Sequence, residues 1–219
     1  MTVAVARWTR EQVAERVASS FVEGMVVNLG IGMPTLVADY VTVDRGVIFH
    51  SENGVLGVGP TPAPGEADPE LINASKDVIT VLPGASFFHQ ADSFALIRGG
   101  HIDIAVMGAF QVSAHGDLAN WSTGDHRIPA VGGAMDLAAG AKSVVAMLTH
   151  TTSDLEPKLV ERCTLPLTGY GVVTRVYTDL MVADVNDGIF VVRDMAPGTT
   201  LESLQAVTAA PLELALDED

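Results

Sequence analysis

The chain alternates short apolar runs with glycine- and proline-marked breaks, and the spacing of those runs predicts its elements. Thr9-Arg10-Glu11-Gln12 is a capping-box pattern. Val13, Val17 and Phe21 follow at helical spacing, with Gly24 as the stop. A strand is predicted over 25–29. The loop Gly30-Ile31-Gly32-Met33-Pro34 follows, and then a helix to about Val41 with Pro34 in its first turn. Another apolar run, Val47-Ile48-Phe49-His50, stops at the turn Ser51-Glu52-Asn53-Gly54. Gly57 and Gly59 then keep the backbone open. Residues 60–70 are proline-rich and read as loop. Strands are predicted over 78–82, 102–107, 143–148, 175–179, 181–185 and 189–193, with Asn186-Asp187-Gly188 as a hairpin turn. Helices are predicted over 90–98 and 135–141. A last one follows a second capping box, Thr199-Thr200-Leu201-Glu202, and the acidic end Asp217-Glu218-Asp219 reads as frayed.

Strands and helices alternate over the first two-thirds, and strands cluster later. The fold expected is α/β: a mostly parallel open sheet flanked by helices, with antiparallel strands near the C-terminus. Its 219 residues, 48% of them hydrophobic, suffice for one large domain spanning 1–219. Charge then narrows the partners. Twelve Lys and Arg against 27 Asp and Glu leave a net −15, and no basic cluster offers a footprint for nucleic acid or an anionic membrane. No apolar run reaches the roughly 18–20 residues of a membrane span. The first residues carry no signal-peptide pattern, so the expected location is cytoplasmic. Cys163 is the sole cysteine, which excludes an internal disulfide and argues for a packing role. The six histidines lack zinc-helix spacing, so no metal site is expected.

The candidate chemistry centres on Glu52, a carboxylate at the end of an apolar strand. Such a group is costly unless something uses or satisfies it. Two readings apply. In the first, Gly30-Ile31-Gly32 and an acid 20 residues after Gly32 match the spacing of a dinucleotide fingerprint, which would make the protein an NAD-dependent oxidoreductase. Against it, Thr35 occupies the third glycine position and Pro34 precedes it. In the second, Glu52 is a nucleophile attacking an activated acyl carbon. The glycines around it permit close backbone approach, and the segment Val131-Gly132-Gly133-Ala134-Met135-Asp136-Leu137 offers backbone N–H groups for an oxyanion. Trp121 reads as a packing anchor, His50 as a residue that packs or orients the turn, and Asp136 as a first-turn helix charge.

Ser51-Glu52-Asn53-Gly54 resembles the signature of the B (β) subunits of family I CoA-transferases. The resemblance spans nearly the whole chain. It includes Asn28 to Thr35, Ser51 to Pro60, Leu71 to Ala74, Arg98 to Asp103, Gly116 to Trp121, Gly132 to Leu137 and Cys163 to Gly169. Ser75 and Asp125-His126-Arg127 depart from the family pattern, away from the Glu52 motif.

The resemblance implies the CoA-transferase fold and a ping-pong reaction through a glutamyl-CoA thioester on Glu52. Gly133 and Ala134 would face the oxyanion, with Asn53 and Gly32 near the substrate. No cofactor would be bound permanently, and coenzyme A would enter as substrate, carried by succinyl-CoA. An A (α) subunit would complete the enzyme as a heterodimer or heterotetramer. Pro62 to Glu66, Phe87 to Phe94, Ala109 to Ser113 and Ile128 to Gly132 resemble the branch whose acceptor is 3-oxoadipate; the sibling branch uses acetoacetate. The second carboxylate of 3-oxoadipate needs a donor, for which Arg98, Arg127, His89 and His126 are the candidates near these motifs.

Overall fold

The computed structural model describes residues 6–124 and 130–216. Helix α1 (Arg10–Ser19) starts where the capping box places it. Thr9 Oγ1 accepts from the Gln12 N–H, and Gln12 Oε1 accepts from the Thr9 N–H. Val13, Ala14, Val17 and Ala18 form its buried face; burying a Val side chain fully contributes roughly 1.5–3 kcal/mol. The helix ends at Ser19, earlier than the pattern suggests, and Phe21 is buried beyond it, edge-on to Phe49.

After α1 come β1 (Val26–Leu29), a 3-10 helix (Met33–Tyr40), β2 (Ile48–Ser51), β3 (Val55–Val58) and β4 (Val81–Phe87). Then follow α2 (Gln90–Arg98), β5 (Ile104–Gly108), β6 (Gln111–Ser113), β7 (Leu118–Ala119), α3 (Ala134–Gly140), β8 (Ser143–Met147) and β9 (Leu159–Val160). The chain closes with β10 (Val173–Tyr177), β11 (Met181–Asn186), β12 (Ile189–Met195), α4 (Leu201–Gln205) and β13 (Leu212–Leu214).

Among the described residues ten strands form one sheet, ordered β13-β12-β11-β10-β8-β5-β1-β2-β3-β4, and β7-β6-β9 form a small second sheet. The central run β10-β8-β5-β1-β2 is parallel. Its inner strands β5 and β8 read as near-continuous apolar runs because both faces are covered. Along β5 and β8 successive residues join opposite cores: Ala105, Met107, Val144 and Ala146 on one face, Ile104, Val106, Val145 and Met147 on the other.

Antiparallel pairing follows at the C-terminal side, as expected, with the β11–β12 hairpin turning at Asp187 (φ 42°) and Gly188 (φ 93°). It also occurs at the other end, where β2, β3 and β4 pair antiparallel.

Several elements differ from the sequence pattern. The helix after Pro34 is 3-10 rather than α; its N-terminus lacks a side-chain cap, and Gly32 there has φ 88°. The glycine-rich stretch after Glu52 is strand β3, whose irregular register beside Gly57 (φ 92°) absorbs the residue that broke the alternation. The strand expected at 78–82 lies at 81–87. Helix α4 is capped by the pair Thr200 and Ser203, one register on from Thr199 and Glu202. Residues 217–219 lie outside the described residues.

Candidate active site

Glu52 sits at the tip of the β2–β3 hairpin, past the C-terminal end of a central parallel strand, where open α/β sheets place their ligands. The turn closes through Gly54 N donating to Ser51 O at 3.0 Å. Gly54 has φ 112°, and a Cβ there would lie 2.1 Å from Phe88 O, so only glycine fits. Phe88 N donates to Gly54 O, which fastens the tip to the start of α2.

The floor beneath the turn is a buried polar chain. His50 is 3% exposed. Its Nδ1 accepts from Asn28 Nδ2 at 3.1 Å, which leaves Nε2 to donate to Ser93 Oγ at 2.9 Å. The ring stacks on Phe88. Burial lowers the His50 pKa to about 4, so the imidazole is neutral at physiological pH. Its role is to hold the turn, in keeping with its place in the sequence.

The lateral walls are tied to the same residues. Ser51 Oγ accepts from Ala74 N at 3.0 Å, and Asn53 Nδ2 donates to Ile72 O at 2.8 Å. The two neighbours of Glu52 thus clamp the 72–74 loop beside it.

Gly133, the N-cap of α3, forms the roof. A Cβ built on it would meet Glu52 Oε2 at 3.0 Å and Phe94 Cζ at 3.0 Å. The Glu52 carboxylate therefore lies under the Gly133 backbone, a contact that a side chain at 133 would crowd. Glu52 is half-buried, and its pKa is raised, first by burial and then by the charge of Asp136. Asp136 lies in the first turn of α3, held by Arg98 at 2.7 Å. A carboxylate of raised basicity under a backbone rich in N–H groups is suited to attack an acyl carbon.

Glu52 and Ala134 line a cavity of about 930 Å³ at the C-terminal ends of β1, β2, β5 and β8. Its walls include Ile31, Met33, Asn73, Ala74, Phe110 and Trp121. Of the sequence-predicted site residues, the fold brings Glu52, Gly133 and Ala134 together. Asn53 and Gly32 are outside the cavity lining: Asn53 is exposed and serves the loop clamp, and Gly32 is an exposed residue of the 3-10 N-terminus. Trp121 does more than anchor packing, because Nε1 donates to Leu167 O while the side chain lines the cavity.

Burial raises the Cys163 thiol to about 11, and Sγ contacts Asp117 O at 3.6 Å, a packing arrangement. Arg98 is committed to Asp136, and His89 Nδ1 caps α2 by accepting from Ala91 N. Neither lines the cavity. His126 and Arg127 lie outside the described residues. The described cations that do line it are Arg10 and Lys158, which the sequence reasoning missed. No motif surrounds Lys158, and Arg10 sits in the α1 capping box, a helix-start pattern with no chemistry; only the tertiary fold brings the two to the site.

Residues 10–206 match the family model described as coenzyme A transferase. The chain is 55% identical over 205 residues to the Pseudomonas putida protein named as the B subunit of 3-oxoadipate CoA-transferase, covering 93% of this chain and 96% of that one. It is 54% identical to the protein of that name in Acinetobacter baylyi, covering 93% and 94%. A Helicobacter pylori protein named as the B subunit of succinyl-CoA:3-ketoacid coenzyme A transferase is 48% identical, covering 94% and 100%. The fold is similar to an acyl-CoA transferase of Escherichia coli O157:H7, with TM-score 0.74, 17% identity and coverage of 98% and 43%. It is also similar to glutaconate coenzyme A-transferase of Acidaminococcus fermentans, with TM-score 0.63, 17% identity and coverage of 99% and 92%. The chain belongs to the coenzyme A transferase family and is a transferase acting on CoA thioesters. Family membership favours a CoA-transferase over the oxidoreductase reading of the glycine loop. Among the described residues no helix is long and apolar enough to cross a membrane.

Proposed function

We propose that this chain is the B subunit of a CoA-transferase that moves CoA from succinyl-CoA to 3-oxoadipate, with Glu52 as nucleophile. The observation that carries the reading is the placement of Glu52 at a glycine-lined hairpin tip, in the cavity and directly under Gly133. The Glu52 carboxylate attacks the thioester carbon and expels CoA thiolate, leaving a mixed anhydride. The thiolate then attacks the glutamyl carbonyl of that anhydride. This releases the donor acid and leaves a glutamyl-CoA thioester. The acceptor carboxylate runs the same two steps in reverse, so no bond energy is lost and neither ATP nor a metal is consumed. Gly133 and Ala134 N–H groups serve the oxyanion of each tetrahedral step. Most of CoA does not react, and its remote binding energy drives the exchange.

An A subunit completes the enzyme as a heterodimer or heterotetramer. This assignment is supported by the subunit names of the relatives and by a net charge of −15, which suits the CoA phosphates poorly. The acceptor assignment is supported by the higher identity to the 3-oxoadipate proteins than to the 3-ketoacid protein. The test is initial-rate kinetics of the chain reconstituted with its A subunit. Succinyl-CoA is the donor, and 3-oxoadipate and acetoacetate are compared as acceptors. A preference for 3-oxoadipate is expected, and the reverse preference refutes the acceptor assignment. Glu52→Gln is expected to lose at least about 1,000-fold in rate, as enzymes do without their nucleophile, while still assembling. A fully active Glu52→Gln enzyme refutes the mechanism.

A further inference from the structure

Six of the eleven described basic side chains in this acidic protein are held in ion pairs. Arg7 pairs with Asp179, Arg16 with Asp194, Arg98 with Asp136 and Lys142 with Asp103, while Arg175 and Arg193 share Asp184. Arg45 donates to the carbonyls of Ala18 and Phe21. Lys158 is different. It lines the cavity that holds Glu52, is half-buried, and donates to a neutral group, Thr149 Oγ1, at 2.6 Å. Among the described residues no carboxylate lies within ion-pair distance of its ammonium. Burial holds its pKa below the ordinary lysine value, opposed by the more distant Asp179. A desolvated cation without a counter-ion is stabilised by an incoming anion.

Its position fits one kind of anion. Thr149 follows the C-terminal end of β8, and Glu52 follows that of β2. Three strand spacings separate β8 from β2, about 14 Å at ~4.8 Å per step. A six-carbon dicarboxylic acid spans about 6 Å between its terminal carbons, from bonds of ~1.5 Å. The long Glu and Lys side chains close the remainder across the cavity. The remaining described charges lining the cavity are the acids Asp39 and Asp77 and the exposed Arg10. The acids repel a second carboxylate, so its approach needs a local cation.

We propose that Lys158 anchors the remote carboxylate of dicarboxylic substrates whose other carboxyl group reacts at Glu52, and thereby sets the acceptor class. This rests on Glu52 being the reacting group, and it adds the residue that selects the substrate. The test uses the enzyme reconstituted with its A subunit, as wild type, Lys158→Met and Lys158→Arg. The acceptors are 3-oxoadipate and 3-oxohexanoate, which has a methyl group in place of the remote carboxylate. In a double displacement the acceptor kcat/KM reports only the second half-reaction, so the donor does not enter the ratio.

Lys158→Met is expected to lower kcat/KM for 3-oxoadipate by about 10- to 100-fold, the range for a lost charge-assisted contact. It should leave 3-oxohexanoate within about 3-fold, and Lys158→Arg should recover part of the preference. A wild-type enzyme indifferent between the two acceptors refutes the 3-oxoadipate assignment and removes the need for an anchor. A wild-type preference that survives in Lys158→Met overturns Lys158 alone. Equal losses for both acceptors also overturn it, because they mark a structural role or a contact to CoA.

Discussion

Gly133→Ala isolates the roof of the site. Gly133 has φ −63° and ψ −15°, which any L-residue adopts, so the backbone imposes no penalty. The added methyl would stand 3.0 Å from Glu52 Oε2, 3.3 Å from Glu52 Cδ and 3.0 Å from Phe94 Cζ. Ordinary contact needs about 3.4 Å or more, so the carboxylate or the helix start retreats by roughly 0.4 Å. A misplacement of ~1 Å in a reacting group costs on the order of 100-fold; 0.4 Å therefore scales to about 5- to 10-fold. Misaligned Gly133 and Ala134 N–H groups add to that loss. Stability is expected to change by less than about 1 kcal/mol. The entropy removed from the unfolded chain by Gly→Ala offsets a small push on Phe94. The readout is single-turnover formation of the enzyme–CoA thioester after mixing the reconstituted enzyme with succinyl-CoA, with a thermal melt of the same sample. Thioester formation at the wild-type rate would show that the roof does not bear on the nucleophile. Equal loss of rate and of folded protein would show that Gly133 matters only for packing.

Three further outcomes follow from the charges and burial in and around the site. Asp136→Asn removes a like charge that raises the Glu52 pKa, so the acid limb of the pH–rate profile for thioester formation is expected to move to lower pH; an unmoved limb contradicts the coupling. Glu52→Gln should raise the melting temperature above pH 5 while transfer is lost. A carboxylate whose folded pKa lies above its unfolded value destabilises the fold at every pH where it is ionised, so a lower melting temperature at pH 7.5 counts against that burial cost. His50 and His150 are buried on hydroxyl and amide partners with pKa values lowered from 6.5 to about 4. The unfolded chain binds their protons first, so stability is fully present above pH 6.5 and falls by about 3 kcal/mol per histidine as pH drops to 4. Denaturant melts that stay flat across that window would refute the neutral assignment.

How much of this was legible in the sequence depends on whether the signal was local. The Thr9 capping box, the Asn186-Asp187-Gly188 hairpin and helix α2 are short-range patterns, and each formed within a residue or two of its expected place. Helix α4 shows the limit of such patterns. Thr199 and Thr200 both offer a cap, and packing selects Thr200, leaving Thr199 Oγ1 buried and without a partner among the described atoms. Strand β3 was hidden because Gly54, Gly57 and Gly59 look like a loop by composition. Close approach explains each glycine. Cβ atoms at these positions would meet Phe88 O at 2.1 Å, Ala85 at 3.1 Å and Thr80 Oγ1 at 2.5 Å. The small sheet β7-β6-β9 was illegible because its strands are two or three residues long, too short to show a period.

The same distinction separates the two halves of the site. Glu52 announced itself because burying a carboxylate at a strand end violates a local rule, and violations of local rules mark function. Its roof was legible for a related reason: two adjacent glycines before a helix reduce stability unless something must come close. Lys158 violates nothing locally. A lysine in a loop before an apolar pair is what any surface looks like. Its oddity appears only when the sheet order brings the end of β8 into the same cavity as the end of β2, and when the carboxylates that occupy six of the other basic groups are seen to lie elsewhere. A reacting group that must be strained or desolvated leaves a mark in the sequence, whereas a recognition group that needs only to be near leaves its mark in the fold. If Lys158 sets acceptor class as proposed, acceptor class is the property of this enzyme that changes most readily without altering any sequence motif around Glu52.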